Sequence, residues 1–519
     1  MRATPGERWL AERIEHVIGR AEADRGFWGI EVFAPQRGRT LYSLNAHRFF
    51  TPASVTKLFT SAATLVVYGA DYQFRTAVET PARVDAYGRL LGDLHLVGRG
   101  DPNLSGHRLP YAVEYQKRET WDRPLVVLEK LADQVVAAGV RVITGDLVAD
   151  DSFFAPERYP SGWALEDPLW SYGAAVSALG VSDNTLLLRV EPGEQEGEPA
   201  RLGWEPAVVF YRATNRVRTV AAGGRTDLAL RREPGVRELT VSGTIALDQE
   251  ARELVLAVEE PAEFAAVAFR TLLETRGVRL EGSVRVRHAP PTVEAPEITH
   301  ADAAAEARTV LAEHLSLPLS ESVKVILKES QNLHAEMLLR LLGRQLPPAS
   351  PLPPRQFKPD ERRPRLGNGS AEAGLEVLRA LLANAGVNPN DVALEDGSGL
   401  ARGNLVTPHG VVQWLKFVQA QAWREAFLAA LPVAGVDGTL KDRMKNGPAY
   451  ARVRAKTGTL GSVNALAGWV ETQSGEPLLF ALFVNHHTLE NQRALDLIDQ
   501  LCAILAELPP AAKTPEKRN

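Results

Sequence analysis

Thr51-Pro52-Ala53-Ser54-Val55-Thr56-Lys57-Leu58-Phe59-Thr60-Ser61-Ala62-Ala63-Thr64-Leu65-Val66 decides how this chain is read. Leu58, Phe59, Ala62, Ala63, Leu65 and Val66 fall at helical spacing, so a helix with a buried face opens here. Ser54 then stands at the helix N-terminus, with Lys57 one turn later on the same face. A serine hydroxyl is a poor nucleophile until a neighbour takes its proton, and Lys57 is placed to do so. An S-x-x-K match alone arises by accident in a chain of 519 residues, so the reading depends on what else the chain carries.

Two more triplets follow in order, Ser330-Gln331-Asn332 and Lys456-Thr457-Gly458. The second precedes the apolar run Ala465 to Val470, a turn at Gln473-Ser474-Gly475-Glu476, and a further apolar run, Leu478 to Val484. This pattern is a β-hairpin, with Lys456-Thr457-Gly458 on its first strand or just before it. Lys57 serves as a base only if its pKa is lowered by burial or by a nearby cation, for which Lys456 is the candidate. Ser330 can relay a proton to a leaving group, and Asn332 can hold a substrate amide or fix Lys57. Backbone N–H groups at Ser54 and near Thr459 are the candidate oxyanion donors. Thr457, Gly458 and Thr459 are placed to bind a substrate carboxylate beside Lys456.

The order S-x-x-K, S-x-N, K-T-G is that of serine acyl-transferases that react with penicillin. From about residue 26 to 508 the chain resembles the D-alanyl-D-alanine carboxypeptidase/endopeptidase family, the low-molecular-mass class C penicillin-binding proteins. Further blocks carry the resemblance: Gly98-Arg99-Gly100-Asp101-Pro102-Asn103-Leu104-Ser105, Asp150-Asp151-Ser152-Phe153-Phe154 with Gly162-Trp163, Asp396 to Asn404, and Gly435 to Arg443. It implies Ser54 as acylated nucleophile, Lys57 as base, and Ser330, Asn332 and Lys456 as the rest of the catalytic set. It also implies that Asp150, Phe154 and Arg402 help bind the free end of a diaminopimelate side chain. Peptidoglycan stem peptides are the implied partners, β-lactams the implied covalent inhibitors, and no cofactor or metal is implied. Two departures leave the catalytic set untouched: Ala401 stands where the family has a serine after D-G-S-G-L, and Arg99 interrupts a glycine run.

The expected fold is α+β, a penicillin-binding-protein/β-lactamase-like transpeptidase domain. In it an antiparallel sheet is flanked by helices, and one or more β-rich domains are inserted. Length alone calls for two or three domains. The expected division is a first catalytic part over 1–85 and inserted material over 86–290, with a third domain nested within about 150–240. A second catalytic part covers 291–508, and 509–519 is a disordered tail. Helices are expected at Glu7 to Ala23, Glu263 to Arg276, Leu317 to Lys328, Leu333 to Leu342, Ala371 to Ala385, Pro408 to Ala420 and Arg493 to Glu507. Leu90 to Val97 and Arg237 to Ile245 alternate like half-buried strands. The proline-rich stretch from Gln345 to Leu366 excludes helix and inner strand, leaving a surface loop or a contact with anionic wall polymer.

A net charge of −5 gives no footprint for nucleic acid. The eleven histidines show no ligand spacing. Cys502, the single cysteine, lies in the apolar face of the closing helix and is expected to be a buried thiol. No run is long and apolar enough to span a membrane, and Met1 to Ala23 lacks the apolar segment of a signal peptide. The family's substrates are periplasmic or extracellular. The expectation is therefore a mature or engineered form whose export signal was removed, with a cytoplasmic relative as the alternative. Two other functions use the same residues: a β-lactamase or esterase, and an idle wall-binding protein. The first needs a glutamate placed for deacylation, and none stands at a recognisable position. The second has no physical use for two lysines facing one serine.

Overall fold

The structure is a computed structural model, and it describes residues 4–112, 123–290, 308–345 and 367–510. The expected loop over 346–366 and nearly all of the expected tail lie outside the described residues.

The central sheet has five antiparallel strands in the order Val453–Leu460, Val463–Glu471, Pro477–Asn485, Phe27–Ala34, Arg39–Leu44. Its inner strands are buried on both faces, which is why they read as unbroken apolar runs. Along Pro477–Asn485 the side chains divide by the two-residue period of a strand. Leu479, Ala481 and Phe483 enter one core, with Leu58, Phe59, Trp414 and Leu338. Leu478, Phe480, Leu482 and Val484 enter the other, against Leu10 and Ile14 of the helix Pro5–Ile18 and Leu497, Leu501 and Cys502 of the helix Asn491–Ala506. Each such Leu or Phe stabilises the fold by about 1.5–3 kcal/mol through burial. Cys502 is free and buried, and burial pushes its thiol pKa up. Lys456-Thr457-Gly458 occupies an edge strand of its own, just before the expected hairpin.

On the first core's side stand the helices Lys57–Tyr68, Leu319–Lys328, Asn332–Leu342, Ala371–Asn384 and Pro408–Gln419. The chain leaves this region after Tyr68 and re-enters it at Leu319. Between them lies a second five-stranded sheet, ordered Val284–Arg287, Leu147–Asp150, Leu94–Val97, Arg75–Thr80, Thr309–Leu315. Its last two members in this order, Arg75–Thr80 and Thr309–Leu315, lie beyond the expected limits at 86 and 290. Two three-stranded sheets formed from Thr185–Ala257 pack beside it and share one core with it.

The stretch Leu90 to Val97 is not one strand. It breaks into Arg89–Leu90 and Leu94–Val97, which belong to different sheets. The break falls where Gly145 approaches the Gly92 backbone: a Cβ on Gly145 would lie 2.5 Å from the Gly92 carbonyl carbon. Asp93 fixes the turn by accepting the Asp146 N–H at 2.7 Å.

Candidate active site

Ala53–Thr56 forms a single 3-10 turn that runs into the helix Lys57–Tyr68. Ser54 is half-buried at its start, and Lys57 is fully buried one turn on. Lys57 Nζ lies 2.9 Å from Ser54 Oγ, 2.7 Å from Asn332 Oδ1 and 2.6 Å from the Ser398 carbonyl oxygen. Lys57 is buried with no ion pair among the described residues, which disfavours the ammonium, and its pKa falls to about 7 despite the raising influence of Asp396 and Glu336. The partners fix what happens when Lys57 loses a proton. The Asn332 and Ser398 carbonyl oxygens can only accept, so they hold the two remaining hydrogens. The lone pair is left to Ser54 Oγ. The arrangement thus aims a neutral amine at one hydroxyl. Asn332 is itself held from behind, because its Nδ2 donates to the Tyr172 carbonyl at 2.9 Å.

Lys456 stands on the opposite side of its strand from Val453 and Ala455, which enter the outer core. Its Nζ donates to Ser330 Oγ at 2.9 Å and to the Thr457 carbonyl at 2.9 Å. Burial, then the charge of Lys57, lowers its pKa well below the ordinary lysine value. Burial is the first cause of the low Lys57 pKa, and each lysine disfavours the charge of the other. Ser330 has a left-handed backbone, φ 60°, as does Ala53 beside Ser54, φ 47°. Non-glycine residues hold that conformation at a cost of about 1–3 kcal/mol each and cluster at functional sites.

Backbone alternation settles where the Thr459 N–H points. Ala455 N–H donates to the Pro432 carbonyl and the Val453 carbonyl accepts from Ala434 N–H, so odd-numbered residues of this strand turn their polar groups away from the neighbouring strand. Thr459 follows the same phase, and its N–H faces the open edge. Gly458 closes the strand onto the serine turn. A Cβ there would lie 2.5 Å from the Pro52 carbonyl oxygen and 3.2 Å from Ser54 N. Gly458→Ala should therefore push the strand off Ser54 and lower the rate of acylation by a fluorescent penicillin by about 100-fold, the usual effect of a displacement near 1 Å. An unchanged rate would contradict this close contact.

These three motifs converge as the pattern of a known family requires. The D-Ala-D-Ala carboxypeptidase 3 (S13) family matches residues 10–352 and 362–508. The chain belongs to this family. It is 34% identical to the D-alanyl-D-alanine carboxypeptidase of Actinomadura sp. (strain R39), over 96% of this chain and 84% of that one. It is 25% identical to D-alanyl-D-alanine carboxypeptidase DacB of Haemophilus influenzae, over 86% of this chain and 82% of that one. Its fold matches the crystal structure of penicillin binding protein 4 (dacB) from Haemophilus influenzae, TM-score 0.74 at 23% identity, over 95% and 98% of the two chains.

In this S13 chain a second ring of residues, unassigned by sequence reasoning, builds the acceptor for Lys57. Asp396 accepts from the Gly399 and Ala401 N–H groups, each at 2.7 Å, and from Asn404 Nδ2 at 2.8 Å. Ala401 is tied into this turn by backbone groups, its N–H donating to Asp396 and its carbonyl accepting from Asn404 Nδ2 at 2.8 Å. Gly399 has φ 87°, and a Cβ there would meet the Ala53 carbonyl oxygen at 1.9 Å. Glu336 Oε1 accepts from the Gly397 and Ser398 N–H groups at 3.0 and 2.9 Å, which turns the Ser398 carbonyl toward Lys57. Glu336 is paired with Arg340, and burial, then Asp396, pushes its pKa up to about 7. The available signal was a Glu/Arg pair four residues apart within the otherwise apolar run Ala335 to Leu342.

Glu336→Gln keeps an acceptor of the same shape and removes a charge that favours the Lys57 ammonium. The acid limb of acylation should therefore move to lower pH. A shift of one unit raises the rate on that limb by about tenfold. An upward shift would contradict the coupling.

The remaining expected residues are placed elsewhere. Asp150 accepts from Ser152 N and Oγ at 3.1 and 2.6 Å and faces Arg287 at 3.5 Å. It lines a cavity of about 240 Å³ with Arg99, Arg308, Arg344 and Phe153. Phe154 is 2% exposed and packs in the first core. Arg402 Nη1 donates to the Gly461 carbonyl at 3.3 Å, at the turn after the K-T-G strand. Among the described residues no hydrogen bond or ion pair joins Arg402 to Asp150. The histidine reading also changes, for the fold brings His107 and His334 onto Asp183.

Proposed function

We infer that the chain hydrolyses peptidoglycan stem peptides through an acyl-enzyme on Ser54, as a D-Ala-D-Ala carboxypeptidase that also opens cross-bridges as an endopeptidase. The observation that carries this reading is Lys57, buried with no ion pair among the described residues and 2.9 Å from Ser54 Oγ. Ser54 Oγ attacks the carbonyl carbon of the penultimate D-alanine as its proton passes to Lys57. The N–H groups of Ser54 and Thr459 hold the oxyanion. Ser330, joined to Lys456, delivers a proton to the departing amine, and the C–N bond breaks. Water then hydrolyses the ester and restores Ser54. Lys456 with Thr457, Gly458 and Thr459 receives the terminal carboxylate. A penicillin reacts by the same attack, but its leaving nitrogen stays tethered, which makes it a covalent inhibitor. Endopeptidase cleavage differs only in the leaving amine.

The membership in S13 supports peptidoglycan as substrate and a periplasmic or extracellular place of action. Among the described residues no helix is long and apolar enough to cross a membrane. The test is release of free D-alanine from a diacylated peptide ending in D-Ala-D-Ala, beside the same peptide ending in L-Ala-L-Ala. Release from the first alone supports the reading. Turnover of penicillin with no peptide cleavage would favour a β-lactamase instead. Detection of the protein in the cytoplasmic fraction of its host would overturn the location.

Asp150, Phe154 and Arg402 are proposed to favour stem peptides with a free diaminopimelate end. The arginines around Asp150 suit a carboxylate, and Arg402 stands beside the K-T-G strand. Arg402→Ala should raise KM for such peptides several-fold more than for a plain acyl-D-Ala-D-Ala substrate. Equal losses would sink that assignment.

A further inference from the structure

His107, Asp183 and His334 come from three separate segments: the loop after the strand Leu94–Val97, the turn before the strand Thr185–Glu191, and the helix Asn332–Leu342. His107 Nε2 lies 2.8 Å from Asp183 Oδ2, and His334 Nε2 lies 3.0 Å from Asp183 Oδ1. The three ligand atoms fall within 4.8 Å of one another. His107, Asp183 and His334 expose 8%, 10% and 0% of their side chains, so the cluster is closed on most sides. Its open side borders a cavity of about 810 Å³ lined by Ser105, Gly106, Ser182, Asp183 and Gln331.

We propose that His107, Asp183 and His334 bind one divalent transition metal ion, with zinc as the best match, beside the Ser330-Gln331-Asn332 turn. Two imidazoles and one carboxylate are a donor set suited to zinc and cobalt and poorly suited to magnesium or calcium, which take oxygen ligands. Bonds of about 2.0–2.2 Å in a tetrahedral arrangement set ligand atoms about 3.3 Å apart. To meet that requirement the 2.8 and 3.0 Å contacts to Asp183 widen by a few tenths of an ångström, and the ligand atoms, now within 4.8 Å of one another, draw in around the ion. Three protein ligands leave a fourth position, which opens to the cavity.

Ser182, Asp183 and Asn184 all have positive φ, 53°, 53° and 51°. Three successive left-handed residues need firm anchoring, which Asp183 shares with the side chains of Ser182 and Asn184. Asp183 Oδ2 also accepts from Gln331 Nε2 at 3.1 Å. Gln331 lies between Ser330 and Asn332, so an ion on Asp183 braces the turn that carries both catalytic side chains. One feature limits the affinity. His334 Nδ1 is buried and has no hydrogen-bond partner among the described residues. Loss of such outer support lowers metal affinity by about 10–100-fold.

The experiment uses the whole, tag-free chain, stripped with a chelator and shown to form its benzylpenicillin adduct. Zinc is titrated by calorimetry, and cobalt by its visible absorption. One equivalent of zinc, the intense spectrum of tetrahedral cobalt, and loss of both in His107→Gln and Asp183→Asn support the site. A stripped wild-type chain that still acylates but binds no stoichiometric metal overturns it. So does undiminished binding in an acylating His107→Gln chain, which would leave the cluster a hydrogen-bonded strut.

Discussion

Ser54→Ala should abolish release of D-alanine, with a loss on the order of 10⁶-fold in kcat, as is found when a nucleophile acting as part of a unit is removed. The side chain is small and half-buried, so the variant should fold and unfold like the parent. The check is D-alanine release under saturating peptide, together with a thermal melt. A residual rate within about 100-fold of wild type would require another nucleophile, because general acid–base and binding effects alone do not replace a covalent step. Cys502 could not supply it: it is buried on the far face of the central sheet, and burial holds its thiol protonated.

Lys57→Met keeps the length of the buried side chain and removes the base. Acylation by penicillin at neutral pH should fall by about 10²–10⁴-fold or more, the usual contribution of a positioned base. The pH dependence carries the sharper information. In the proposed mechanism acylation needs Lys57 neutral, and burial lowers its pKa to about 7. In the wild type the rate should therefore be low at acid pH, rise through about 7 and level off above it. In Lys57→Met that limb should vanish and leave a slow, pH-insensitive reaction. Because burial is the first cause of the low pKa, added salt should hardly move the limb in the wild type. A limb that persists in the variant would assign the base to another group.

What the sequence revealed and what it hid follow from how each feature is encoded. Pro477–Asn485 was legible because a strand buried on both faces must be apolar throughout. The serine helix was legible because its apolar spacing starts right after Ser54. K-T-G was legible as a motif, yet its place on a separate edge strand was not, since only Ala455 and Val453 among its early residues are apolar. The Ser398 acceptor is a backbone carbonyl and has no side-chain signature. Its importance shows only through the glutamate that turns it. His107, Asp183 and His334 are 76 and 151 residues apart in pairs, and no local spacing betrays them. The strands Arg75–Thr80 and Thr309–Leu315 escaped the expected limits because they pair with each other across more than two hundred residues.

The account rests on Ser54 as the residue that becomes acylated. The most direct measurement is the intact mass of the protein after incubation with benzylpenicillin, followed by peptide mapping. A gain of one penicillin, located on the peptide that contains Ser54 and absent from Ser54→Ala, is the expected result. An adduct on any other residue, or no adduct in a folded chain, would contradict it.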